Sequence, residues 1–320
     1  MHLQQLLDAD GEEHLLIVVK ASFHVLGDRL VATDTDIVLA DRYRGDPIRS
    51  SLAAAGEITL GKPRPDLLLT GNAYPGAPGE TTGWVSFRVG AWSKELAVLG
   101  DRTWTPGLLG LRPGAPQPFT AIPLIYEHAF GGADLDAQPP TGCEENPVGV
   151  GRVGCRAGSP LPNLEDPQDR LESPDDRPPP RAFGPIPPHW QPRRGLHGTL
   201  DAAWLRDRMP LPPLDADPRR AQVAPPDQVY PTPLRGEEEV EVRGARPGGE
   251  VLAFRLPGMQ VRVAVHDGQG VLELPTVLDT LHVDAEAVRV DLTWRASISV
   301  HVRLDDLQWV RVEATGAPHD

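Results

Sequence analysis

Where the prolines sit limits the fold more than any other feature of this chain. Of 36 prolines, 19 fall between residues 159 and 233. Proline has no amide hydrogen to donate and its φ is locked, so neither a long helix nor a central strand persists through such a segment. The same stretch carries Phe183, Trp190, Trp204 and Tyr230, whereas chains that stay disordered are poor in aromatic residues. An ordered layer of loops laid over other structure is therefore expected. Within it one helix is expected over Leu200–Met209, with Thr199 as N-cap, Asp201 near the positive end of the dipole and Pro210 as the stop.

On either side of this segment the hydrophobic pattern has period two. Residues 14–40 place Val19, Ala21, Phe23 and Val25 on one face and Lys20, Ser22 and His24 on the other, as in a half-buried strand. Gly27-Asp28 reads as a hairpin turn, and a second strand is expected from Leu30 to Leu39. Asp66–Gly71 is a further strand candidate, and Val85, Phe87 and Val89 oppose Trp84, Ser86 and Arg88. Near the C-terminus three alternating sets follow: Val261, Val263 and Val265; Val288, Val290, Leu292 and Trp294; and Ile298, Val300, Val302 and Leu304. Asp267-Gly268 and Asp284-Ala285 supply turns between them. The expected fold is mostly β, with two β-rich parts, sandwich-like or open antiparallel sheets, joined by a long ordered proline-rich segment with one short helix. The corresponding division is 1–156, 157–234 and 235–320.

Composition narrows the function. The formal net charge of −14 argues against nucleic acid as a partner, because phosphate binding draws on clustered Lys and Arg. No stretch approaches the roughly 20 apolar residues that span a bilayer. Met1 to Glu13 has neither the positive charge nor the apolar core of a signal peptide, so a cytoplasmic protein without membrane insertion is expected. Cys143 and Cys155 are the only cysteines and do not form a CxxC pair, which speaks against a disulfide framework or structural zinc.

Candidate chemistry is sparse. Gly149 to Gly154 matches GxGxxG, but Glu144 to Pro147 is no buried strand and Ala157 to Pro162 cannot open a helix, so these read as loop glycines. Tyr126-Glu127-His128 sets a carboxylate beside an imidazole. On a strand, however, Tyr126 and His128 would share a face and Glu127 would point away. Gly131-Gly132 lacks the Lys and Ser or Thr of a phosphate loop and reads as a sharp turn. His189 and His197 bracket Arg193-Arg194 and, with His128 or an Asp, offer zinc-ligand types at no recognised spacing.

Several segments taken in order are more specific than any motif: Val18–Phe23, Asp66–Gly71, Gly100–Trp104, Pro123–Gly132, Asn146–Gly149, Leu161–Pro167, Phe183–Trp190 and Ala224–Gln228. Together they resemble the bacterial type VI secretion effector adaptor and chaperone family over nearly the whole chain. That resemblance implies a protein that binds a toxin effector and joins it to the VgrG spike, with no catalytic residue and no cofactor. Exposed Trp and Arg dominate binding surfaces, which singles out Trp190, Arg193, Arg194 and Trp204. The same tryptophans also suit pinning the proline-rich layer onto the sheets. An open strand edge at Gln308–Glu313 offers a second route, by strand addition.

Two other classes stay open. One is a hydrolase using acidic residues or His128, which calls for a groove with perturbed carboxylates. The other is a carbohydrate-binding β-module presenting Trp84, Trp92 or Trp104 in an exposed row. An apolar patch or an open strand edge favours the adaptor instead.

Overall fold

The computed structural model describes residues 1–108, 110–266, 268–299 and 307–316. In chain order its principal strands begin with β1 (His2–Leu7), β2 (Glu13–Leu26), β3 (Arg29–Thr33), β4 (Asp66–Thr70), β5 (Thr82–Val89), β6 (Trp92–Leu99) and β7 (Leu164–Glu165). They continue with β8 (Glu239–Arg243), β9 (Leu252–Arg255), β10 (Gln260–His266), β11 (Val271–Leu274), β12 (Val277–Asp284), β13 (Arg289–Ser299) and β14 (Trp309–Thr315). The mostly β expectation holds.

The strands pair across the whole chain. A six-stranded sheet runs β1-β2-β13-β12-β4, with β3 also on β2. Here β2 and β13 are antiparallel from His14 opposite Ser299 to His24 opposite Arg289, and β12 lies parallel to β4. A five-stranded sheet runs β7-β6-β5-β8-β9, and a three-stranded one runs β11-β10-β14. A division at 156 and 234 would therefore cut both large sheets, and the two β-rich ends of the chain are interleaved instead of separate. Alternation marks a segment as a strand but carries no information about a distant partner, which is why the sequence reading placed boundaries the pairing does not respect.

One hydrophobic cluster joins the sheets: Leu15, Ile17 and Leu292 from the six-stranded sheet, Phe87, Leu96 and Val240 from the five-stranded one, and Val263 from the third. The alternation of β5 is realised, since Val85, Phe87 and Val89 are fully buried while Trp84 is 47 % exposed. Phe183, Trp190 and Tyr230 of the proline-rich segment enter the same cluster, so that segment is an ordered layer of the core.

Local differences from the sequence reading have local causes. The second strand ends at Thr33 because the chain then leaves the ladder: Thr35 bonds Ser22 at 2.5 Å, and the Asp36 carbonyl accepts from Lys20. Val288 is not a strand residue but part of the β12–β13 turn, with φ of 52°, a conformation a β-branched residue seldom adopts. Its carbonyl accepts the Val25 amide at 2.8 Å. Asp267, Val300, Val302 and Leu304 lie outside the described residues. The described residues include two short α-helices, α1 (Arg193–Leu196) and α2 (Ala202–Asp207). The N-cap of α2 is Asp201, whose carboxylate accepts the Trp204 amide at 2.8 Å, while the Thr199 hydroxyl is taken by Asp215 at 2.7 Å.

Candidate functional site

The proline-rich layer carries the four residues expected to meet a partner, and burial splits them. Trp190 is fully buried, edge-on to Tyr126 with ring centroids 5.5 Å apart. Arg193 is 8 % exposed and donates to the carbonyls of Ile186 (2.5 Å) and Arg220 (3.3 Å). Neither is a surface contact group: both hold the layer together, since a loop poor in amide donors leans on side chains for its bonding. Arg194 remains outside, paired with Glu144 at 2.9 Å, and Trp204 is half-buried with its indole N–H donating to the Leu211 carbonyl.

Four large apolar side chains of the same segment are exposed, among charged neighbours such as Arg206 and Asp207. Leu200, Leu205, Met209 and Leu214 are 59 %, 58 %, 57 % and 81 % exposed. A helix as short as α2 cannot bury apolar residues on all its sides. Next to it the chain is fastened to the β1–β2 hairpin, where Arg208 donates to the Ala9 carbonyl and Leu211 lies against Gly11.

The three-stranded sheet adds open edges. β14 pairs with β10 from Gln260 opposite Thr315 to His266 opposite Trp309, and its outer edge has no partner among the described residues. This is the edge expected near Gln308–Glu313. On the far side β11 likewise ends the sheet, with Val271 and Leu272 substantially exposed.

A polar cavity of about 470 Å³ lies on the other face of the six-stranded sheet, lined in part by Lys20, Lys62, His282, Asp291 and Thr293. Lys20, His282, Asp291 and Thr293 alternate with core residues on β2, β12 and β13, and Lys62 comes from the loop before β4. The sequence signal for the cavity is the run Asp291, Thr293, Arg295 set between Val290, Leu292 and Trp294, polar residues on a strand whose alternate positions are core. Glu57 crosses the cavity, meeting Lys20 at 3.0 Å and the Thr293 hydroxyl at 2.8 Å. Arg295 contacts Asp279, and Lys62 meets Asp66 at 2.7 Å. Burial alone raises the Asp291 carboxyl, but hydrogen bonding and charge from His282, helped by Ser22 and Lys20, outweigh it and hold the group well below the usual carboxylate range. The cavity's ions are largely cross-braced by one another. Arg42 and Arg44, exposed along it, form no ion pair among the described residues.

Tyr126–His128 is a single 3-10 turn, not a strand, so the alternation expected to separate its side chains does not apply. Glu127 accepts from the Ser51 amide and hydroxyl at 2.8 and 2.7 Å. The Asn163 side-chain NH2 donates to the Leu99 carbonyl and to Asp101, both at 3.0 Å, so its oxygen faces His128 Nδ1 at 2.7 Å. That geometry assigns the proton to Nδ1 and leaves Nε2 as an acceptor. His128, Glu127 and Asp101 line a groove of about 710 Å³. Nearby Glu165 is raised by burial and opposed by Arg102, which contacts it.

The remaining candidates scatter. His189 lies against Tyr43 and Trp190, and among the described residues it joins His128 in no group close enough to hold a metal. Among the described residues the grouping close enough to hold a metal is Asp8, Glu12 and His14 in the β1–β2 turn, where Asp8 already accepts the Asp10 and Glu12 amides. Trp84 is exposed, Trp92 packs edge-on to Phe87 and Trp104 is 1 % exposed, so they form no row. Burial pushes the Cys143 thiol up to about 11. Gly131 is not at a free turn: it pairs with Gly151, a side chain on it would overlap the Asn146 carbonyl, and one on Gly149 would overlap Ala129 and Asn146. The two glycine motifs are thus the two sides of one close backbone approach.

No curated protein and no solved structure matches this chain. A family model described as an uncharacterized protein conserved in bacteria, DUF2169, matches residues 10–295, and the chain belongs to that family.

Proposed function

We propose that this protein is a non-catalytic adaptor and chaperone of the bacterial cytoplasm that binds a toxin effector and helps load it onto the type VI secretion spike, with VgrG as the second partner. The observation that carries this is the exposure of four large apolar side chains, Leu200, Leu205, Met209 and Leu214, in the segment that also holds half-buried Trp204. Clustered exposed apolar side chains mark protein contact surfaces, with Trp as the usual anchor. The open edge of β14 supplies a further site for an extended segment. The net charge of −14 favours encounter with a basic partner surface, an effect screened beyond about 8 Å at physiological salt.

The test is co-purification of the tagged protein from its native host with the products of neighbouring genes. A stable complex with an effector or a spike protein supports the adaptor. Capture of neither, together with turnover of a small substrate, overturns it in favour of a hydrolase. That second reading rests on the fixed imidazole of His128 in its groove, with Nε2 oriented as a proton acceptor.

A further inference from the structure

β14 is a regular edge strand that lacks the features by which edges usually avoid one another. It pairs with β10 from Trp309 to Thr315 without a bulge, and it contains neither proline nor lysine. Such an edge presents a row of amides and carbonyls to any strand that fits it. Its faces alternate: Val310 and Val312 pack against the core cluster, while Arg311 and Glu313 are exposed.

On that exposed face the charges of neighbouring strands differ in sign. Glu313 stands opposite Arg262 of β10, and Arg311 stands opposite Ala264, beyond which comes Glu273 of β11. Arg311 also lies over the Trp309 ring, 4.9 Å from its centroid. Its ion pair with Glu313 of the same strand is long, at 3.8 Å, because side chains two positions apart on a strand are set about 6.8 Å from one another. A residue directly opposite on an adjacent antiparallel strand is nearer, at about 4.5–5.5 Å between β-carbons.

The register of an added copy follows from the backbone. Outward-facing amides and carbonyls belong to every second residue of an edge strand, so two antiparallel copies pair only with a two-fold axis at a residue position. An axis at Arg311 or at Glu313 sets that charge against itself. An axis at Val312 sets each Arg311 opposite the other copy's Glu313, Val310 opposite Ala314 and Trp309 opposite Thr315, so that all seven residues are used.

We propose that β14 pairs with β14 of a second copy of this chain, antiparallel about Val312, giving a sheet that runs β11-β10-β14-β14-β10-β11 across a homodimer. Both Arg311–Glu313 contacts form at once, and the partly exposed valines of the core face meet across the axis. Repulsion between two chains of net charge −14 is screened beyond about 8 Å at physiological salt, whereas the charges at 311 and 313 act within that range. An effector segment and a second copy compete for this one edge. The inference goes beyond the adaptor reading and does not depend on it.

The test is sedimentation equilibrium of the purified full chain at physiological salt. Pairing of single strands buries less than a standard interface of about 1,600 Å², so a mass of two 34.7 kDa chains is expected at roughly micromolar concentration and above. Arg311→Glu and Glu313→Arg each set like charges opposite one another twice and should weaken self-association about tenfold. An equimolar mixture of the two variants restores both opposite-charge contacts and should dimerise as the unaltered chain does; thermal melting confirms that each variant folds. A chain that stays monomeric to about 100 µM overturns the proposal, since edge pairing at standard strand spacing would be populated there. A dimer unchanged by either substitution, or a mixture that fails to re-associate, overturns the interface and its register. A monomer whose effector capture is lost on Arg311→Glu assigns the edge to the effector and overturns the pairing of copies.

Discussion

Trp190→Ala separates a core anchor from a contact residue. Trp190 is fully buried in the cluster shared by both large sheets. A buried Trp removes about 150–250 Å² from water, worth about 4–6 kcal/mol at ~25 cal/mol per Å². Measured truncations of buried aromatics to Ala fall at about 3–5 kcal/mol, because the site relaxes in part. The edge-on contact with Tyr126 adds about 0.5–1.5 kcal/mol. Among the described residues the indole N–H has no hydrogen-bond partner, so nothing is added for a broken bond. The expected loss is about 4 kcal/mol for Trp190→Ala, and about 1 kcal/mol for Trp190→Phe, which keeps a ring against Tyr126. Urea titration followed by far-UV circular dichroism measures both. A loss below about 1 kcal/mol for Trp190→Ala, accompanied by loss of partner capture, would refute the assignment and return Trp190 to the surface.

The remaining predictions concern the patch, the glycines and one buried lysine. Leu205→Asp and Leu214→Asp should leave stability within about 0.5 kcal/mol while lowering effector capture about tenfold, read by urea titration and pull-down; unchanged capture would count against the adaptor surface. Gly131→Ala places a methyl onto the Asn146 carbonyl and should cost at least about 3 kcal/mol, against about 1 kcal/mol for Gly154→Ala, which has open space; equal melting shifts would contradict the close approach. Burial holds the Lys94 ammonium down to about 8 against 10.5, despite Asp227 at 3.0 Å. Between those values the unfolded chain binds a proton that the folded chain has lost, so stability rises with pH. The cost of the buried charge is full below pH 8 and is relieved toward pH 10.5, a gain of about 3 kcal/mol relative to Lys94→Met. A flat difference between the two proteins over that range would show that Lys94 is not desolvated.

Legibility followed the range of the interaction. Val85, Phe87 and Val89 announced their burial because alternation is a property of adjacent residues. The Gly27-Asp28 turn was equally plain, since it closes Leu26 onto Arg29. The helix at Ala202–Asp207 was found but its cap was misplaced: Thr199 and Asp201 both suit the position, and Asp215, sixteen residues on, claimed Thr199. The polar cavity was missed because Asp291 and Arg295 acquire meaning only beside Lys20, Glu57 and Asp279, which three other segments supply.

By itself the sequence determined the β character of the two ends, the ordered state of the proline-rich layer and the lack of any run long and apolar enough to span a bilayer. These follow from side-chain period, aromatic content and composition, which need no partner to act. Only the tertiary structure decided that Trp190 and Arg193 face inward while Trp204 and its leucines face outward, and that β13 lies between β2 and β12. Which face of a proline-rich loop is buried depends on the sheet beneath it, and strand order depends on contacts hundreds of residues apart.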